Sequence, residues 1–186
     1  KKWKNHVGLG MSIPTGDINK RDVTPMSSDA RLGYAMQNGT GTYDAFFLIN
    51  NLNEFGKFKV GEQFFFKLPV SGKNSYGYRY GKDFGLNLWV SYRFFQYLSG
   101  SFKINYQYKG EMEGFDNEMN KRMSPAMDSA NQGFNKVNLG LGFNLVNNSV
   151  YFKNNRLALE LLIPIYRDYE GIQMADSFSF ILGWQY

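Results

Sequence analysis

Residues 137–145 read Val-Asn-Leu-Gly-Leu-Gly-Phe-Asn-Leu. Val137, Leu139, Leu141, Phe143 and Leu145 share one parity, and Asn138, Gly140, Gly142 and Asn144 share the other. A helix would scatter these two sets around its circumference. An extended strand sends successive side chains to opposite faces, so the same nine residues make one apolar face and one small, polar face.

The pattern recurs along the chain. Residues 3–13 place Trp3, Val7, Leu9, Met11 and Ile13 against His6, Gly8, Gly10 and Ser12. Residues 84–94 place Phe84, Leu86, Leu88, Val90, Tyr92 and Phe94 against Gly85, Asn87, Trp89, Ser91 and Arg93. Residues 102–109, 157–165 and 177–186 alternate in the same way. Two further segments are less clean. In 41–52 the polar parity also carries Phe46 and Leu48, and in 57–69 the apolar parity carries Glu62, which suggests a β-bulge near Gly61 turning the carboxylate inward. No stretch has a helical period. The expectation is an all-β chain of eight antiparallel strands.

Connections are expected at 14–40, 53–56, 70–77, 95–99, 111–134, 147–154 and 167–176, tending to alternate long and short. Alternating long loops and short turns, with an even strand number, fit an antiparallel transmembrane β-barrel. Eight strands supply on the order of forty apolar side chains, too many for the narrow interior of so small a barrel. The apolar face is therefore expected to meet lipid and the Gly, Ser, Asn, Gln and Lys face to line a lumen. Trp3, Tyr78, Tyr80, Phe94, Tyr108, Tyr166, Trp184 and Tyr186 stand near strand ends, where interfacial girdles belong.

Composition agrees. The chain has 186 residues, one domain's worth, with 18% aromatic residues and no Cys, which excludes disulfides and thiolate chemistry. Its mean hydropathy is −0.43 and it has no long apolar run, which excludes a transmembrane helix but not a barrel that spends every second residue on lipid. The net charge of +5 is scattered rather than gathered into a basic arm, so nucleic acid is not an expected partner. Membrane lipid and lipopolysaccharide are. The opening KKWKNHVG lacks an initiator Met and an apolar signal core, which reads as a processed chain whose targeting segment is gone.

Four segments carry a family resemblance. They are VGLGMSIPTGDI (7–18), YAMQNGTGTYD (34–44), MSPAMDSANQGFNKVNLGLGFN (123–144) and RLALELLIPIYRDYEGIQM leading to GWQY (156–186). In order and spacing they resemble an outer-membrane transporter family associated with meta-pathway phenol degradation. The resemblance implies a bacterial outer-membrane location and passive passage of a small molecule. Family members usually carry further strands upstream, so the resemblance implies either that these eight are the C-terminal part of a barrel near twelve strands or that they are a short version closing at eight. The terminal segment 178–186, ending FSFILGWQY, resembles the signal by which the outer-membrane assembly machinery recognises its clients.

Chemistry-bearing residues are few. The polar parity assigns His6, Asp44, Lys59, Lys67, Asn87, Arg93, Lys103, Asn105, Lys109, Asn138, Asn144 and Glu160 to the lumen. Its charges are expected to pair across a narrow interior, or to line an anion-favouring passage in a wider one. No cofactor is expected, and no enzyme. Met112, Met119, Met123 and Met127 are soft candidate ligands, more simply read as loop packing; a helix there would align the last three. The Pro14–Asp17 turn and Asp168, Glu170 and Asp176 are weak candidates for Ca²⁺. Two alternatives stand beside the channel. One is a closed barrel whose outer loops bind partners or surface lipids; the other is a lipid hydrolase using His6 with Ser12, Ser91 or Ser179.

Overall fold

The computed structural model describes residues 2–25, 27–147 and 155–186. The strands are β1 (Lys2–Ser12), β2 (Arg21–Thr24), β3 (Ser27–Arg31), β4 (Asp44–Phe55), β5 (Phe58–Pro69), β6 (Tyr78–Arg79), β7 (Asp83–Arg93), β8 (Leu98–Lys109), β9 (Glu113–Gly114), β10 (Phe134–Asn147), β11 (Asn155–Tyr169) and β12 (Ser179–Gln185). Eight of them form one antiparallel sheet in the order β1-β4-β5-β7-β8-β10-β11-β12. These are the eight strands read from the alternation. The sheet has two edges: among the described residues no ladder joins β1 to β12. It curls nonetheless, since side chains from β4 through β12 border one cavity. The described residues contain no α-helix, only three single-turn 3₁₀ segments.

Register places every apolar parity on the same face. Leu9 pairs with Phe47, Phe47 with Phe66, Phe66 with Phe84 and Phe84 with Tyr108. Large apolar side chains on this face stay exposed from edge to edge, among them Leu9 on β1, Phe102 on β8, Phe143 on β10 and Trp184 on β12. Aromatic neighbours such as Phe64 and Phe84, with centroids 6.4 Å apart, tie adjacent strands along it.

Two local expectations are corrected. Both ladders of β5 run through Gly61 and Glu62 without a shift, so there is no bulge; Glu62 stays on the apolar face, exposed, opposite Asn51 and Leu88. Gly61 serves a different purpose. A Cβ there would lie 2.0 Å from the Trp89 ring, so glycine lets the indole lie on the opposite, polar face of the strand. The bulge falls instead between Val137 and Asn138, opposite β11, where Tyr166 and Pro164 bracket the unpaired Ile165. Pro164 has no N–H to give a ladder, which is why the irregularity sits there.

The connections at one end of the sheet are short, and those at the other are long and packed. The β10–β11 connection, expected at 147–154, lies almost wholly outside the described residues. The apolar residues that are buried, Ala30, Tyr34, Tyr78, Met112 and Met119, belong to the long connections and not to the sheet. Tyr34 meets Tyr78 edge-on at 5.0 Å, and Tyr78 meets Tyr80 at 6.0 Å. Tyr78 and Tyr80 therefore build a loop core rather than an interfacial girdle. Of the other expected girdle residues, Trp3, Phe94, Tyr166, Trp184 and Tyr186 are exposed and Tyr108 is half-buried. The segment carrying Met119, Met123 and Met127 is a run of turns, so the three do not share a helical face. Met119 is buried, Met127 packs beside the tyrosines and Met123 is exposed.

The segments quoted for the family resemblance build this loop layer. Asn38 N–H donates to the Asp17 carbonyl at 3.1 Å, joining 7–18 to 34–44. Gly16 has no room for a Cβ, which would fall 1.6 Å from the Asn38 carbonyl oxygen. Ile172 N–H donates to Asn131 Oδ1 at 3.1 Å, and Gln173 Nε2 to the Gly133 carbonyl at 2.6 Å, joining the other two.

Candidate functional site

The polar face carries the candidate site. At mid-height a register row crosses the sheet: His6 opposite Asn50, then Gln63, Asn87, Asn105 and Asn138. Four of these are linked in one direction. Asn138 Nδ2 donates to Asn105 Oδ1 at 2.8 Å, Asn105 Nδ2 to Asn87 Oδ1 at 2.8 Å, and Asn87 Nδ2 to Gln63 Oε1 at 3.2 Å. A primary amide both donates and accepts, so a row of them can continue across strands without charge. Among the described residues the buried oxygens Asn50 Oδ1 and Asn138 Oδ1 make no hydrogen bond, leaving two acceptors on this face.

Toward the long connections, charge is balanced. Asp44, fully buried, accepts from Thr42 Oγ1 at 2.8 Å and Thr40 Oγ1 at 3.1 Å and pairs with Lys67 at 3.0 Å. Asp83 stands opposite both Lys67 and Lys109, and the Lys109 ammonium lies 5.0 Å from the Tyr80 ring centre. Toward the short turns the face opens into a cavity of about 720 Å³. Lys59, Asn87, Arg93, Lys103, Asn144 and Glu160 line it, bringing together half of the twelve predicted lumen residues. His6, Asp44, Lys67, Asn105, Lys109 and Asn138 lie on the same face outside it.

Pairing across the interior is partly as expected. Lys103 and Glu160 form an ion pair over Gly140, whose missing side chain leaves the space between β8 and β11 open. Lys59 pairs with Glu54 at 3.4 Å rather than with a facing strand, and Arg93 Nη2 donates to the Gly56 carbonyl at 3.3 Å. Lys57, Gln63 and Arg156 also line the cavity and were missed from the sequence, and Trp89, placed on the polar parity but not among the candidates, lines it too. Parity held the signal for Gln63 and Arg156: counting back from Glu160 makes Arg156 inward, and an unbulged β5 makes Gln63 inward.

The other candidates separate. Met112 and Met119 pack against Tyr34 and Tyr78. Among the described residues no group of three or more His, Asp or Glu is placed to hold a metal ion. Asp17 accepts from Asn19 N–H at 2.8 Å and pairs with Lys20 at 3.0 Å; these contacts hold its carboxyl below the usual range. Asp176 accepts from Tyr169 Oη at 2.9 Å and faces Lys136 at 3.5 Å, whereas Glu170 neighbours Glu111, whose charge raises its pKa. His6 makes no hydrogen bond to a serine hydroxyl among the described residues; Ser12 shares its strand, and Ser91 and Ser179 stand on β7 and β12.

In the loop layer, Arg31 is the buried cation. Its Nε lies 2.7 Å from Asp116 Oδ2 as a charge contact rather than an aligned hydrogen bond. Its Nη1 and Nη2 each donate at 2.6 Å, to Asn19 Oδ1 and the Ile18 carbonyl, and its guanidinium lies 3.6 Å from the Tyr76 ring centre. Burial raises the pKa of Asp116, with Arg31 and Arg21 opposing that shift. A scan of protein-family models, a search of curated proteins and a search of solved structures each found no match to this chain.

Proposed function

We propose that this chain forms the wall of a β-barrel in the outer membrane of a Gram-negative bacterium and lets small solutes pass passively along its polar face. One observation carries the reading: eight strands expose an apolar face from edge to edge while the opposite face holds the polar network. In water so wide an apolar surface would drive association, whereas in lipid it is the solvated side. The two open edges point the same way. Unpaired strand edges are very costly in hydrocarbon, so insertion requires β1 and β12 to find partners, in each other or in further strands. The resemblance to outer-membrane transporters adds the small-molecule class.

The packed loop layer favours a second reading, a barrel closed at that end whose outer loops bind partners or surface lipids. Reconstitution separates them. The full chain in lipid vesicles containing brominated acyl chains is expected to show quenched emission from Trp3 and Trp184, which are exposed on the apolar face. In planar bilayers, stepwise conductance supports the channel. Quenching without conductance or solute uptake supports the closed barrel, and absence of quenching would sink both.

A further inference from the structure

Charge is unevenly distributed along the polar face. At the long-connection end carboxylates stand beside the cations, Asp44 with Lys67 and Asp83 opposite Lys109. In the cavity at the short-turn end, Lys57, Lys59, Arg93, Lys103 and Arg156 face one carboxylate, Glu160. Lys103 is paired with it, and Lys59 reaches Glu54. The two arginines make no ion pair among the described residues. Arg93 is held by the Gly56 carbonyl, and Arg156 Nε donates to Asn144 Oδ1 at 2.9 Å. Both contacts leave the guanidinium charge uncompensated.

Resting on the channel reading above, we propose that this cavity is a binding site for small organic anions, with Arg93 and Arg156 receiving the anionic group and Trp89 walling its apolar body. A planar guanidinium presents a fork of donors that matches two oxygens of a carboxylate and sheds water more readily than an ammonium. A concave site of one charge sign also concentrates the opposite ion. Trp89 is the large aromatic of β7 that faces the cavity, and glycine at position 61 leaves space for its ring. The site offers an anion both charge and an apolar surface, and a neutral solute only the second.

The test uses the full chain in detergent, with Trp3→Phe and Trp184→Phe leaving Trp89 as its one tryptophan among the original three. Benzoate, sodium phosphate and neutral benzyl alcohol are titrated separately against Trp89 emission. Saturable quenching by benzoate and not by benzyl alcohol is expected. Binding of phosphate as tightly as benzoate would remove the apolar wall from the proposal, and equal binding of benzyl alcohol, or none of the three, would overturn it. Arg93→Gln with Arg156→Gln, both at exposed positions, is expected to weaken benzoate binding at least about tenfold, the scale of one charge-assisted hydrogen bond. Lys82→Gln, an exposed loop lysine, should leave it unchanged, and an unchanged double variant would overturn the proposal. Reversal potentials in bilayers keep the two readings apart. A cation-selective conductance refutes the anion site alone, and benzoate binding without conductance refutes the channel alone.

Discussion

Asn105 is the residue on which the amide row turns: it accepts from Asn138, donates to Asn87 and is 7% exposed. Asn105→Leu would leave the buried donor of Asn138 and the half-buried acceptor of Asn87 unmet, at a cost of about 2 kcal/mol. Urea unfolding of the detergent-solubilised chain measures this, and wild-type stability in the variant would mean the row does not hold the strands. Much of the row was legible. Alternation alone put Asn87, Asn105 and Asn138 on the polar face. It could not put them at one height, because height depends on register between strands that share no local sequence. Gln63 was missed for a related reason: Glu62 on the apolar parity suggests a slip in the strand, when it is an exposed charge on an unbroken one.

At the scale of elements, the loop layer is held by buried polar contacts as much as by apolar ones. Arg31→Met alone leaves Asp116 buried without its cation and is expected to cost about 3–5 kcal/mol, whereas Arg31→Met with Asp116→Leu should recover much of it. Limited proteolysis of the long connections reads this directly, with faster cleavage in the single variant than in the double. The tyrosines give a pH dependence. Burial, the largest cause in each, raises the pKa of Tyr34, Tyr78 and Tyr80 above the ordinary phenol range. A folded-state pKa above the unfolded one means stability fully present below about pH 10 and lost as pH rises through the folded value. Absorbance at an alkaline-sensitive wavelength should therefore show at least three of the 13 tyrosines titrating late, together with loss of loop protection. Uniform titration of all of them near the free value would contradict the core. The methionines were legible here as packing, but the Tyr34–Tyr78 contact was not, since it joins residues 44 positions apart across irregular backbone.

For the whole molecule, the decisive property is which face meets solvent. Ile104 lies mid-strand on the apolar face and is exposed. If that face contacts lipid, Ile104→Lys should make insertion into vesicles less favourable by about 2–4 kcal/mol, while Gln107→Lys, on the polar face, should change it little. Equal insertion of the two variants would mean that the sheet is not solvated by hydrocarbon on that side. Closure belongs to this scale too: among the described residues β1 and β12 are the two edges of the eight-stranded sheet.

Alternation along the chain is enough to mark out the eight strands and the make-up of their two faces, because a period of two is a local property that any extended backbone must obey. What those faces hold comes from packing in three dimensions. It aligned four amides into one row, gathered Arg93 and Arg156 into one cavity apart from the balanced pairs around Asp44 and Asp83, and drew distant loops into a tyrosine and methionine core. Each of these depends on the registers between strands and on the course of long connections, and both are set by contacts between residues far apart in the chain.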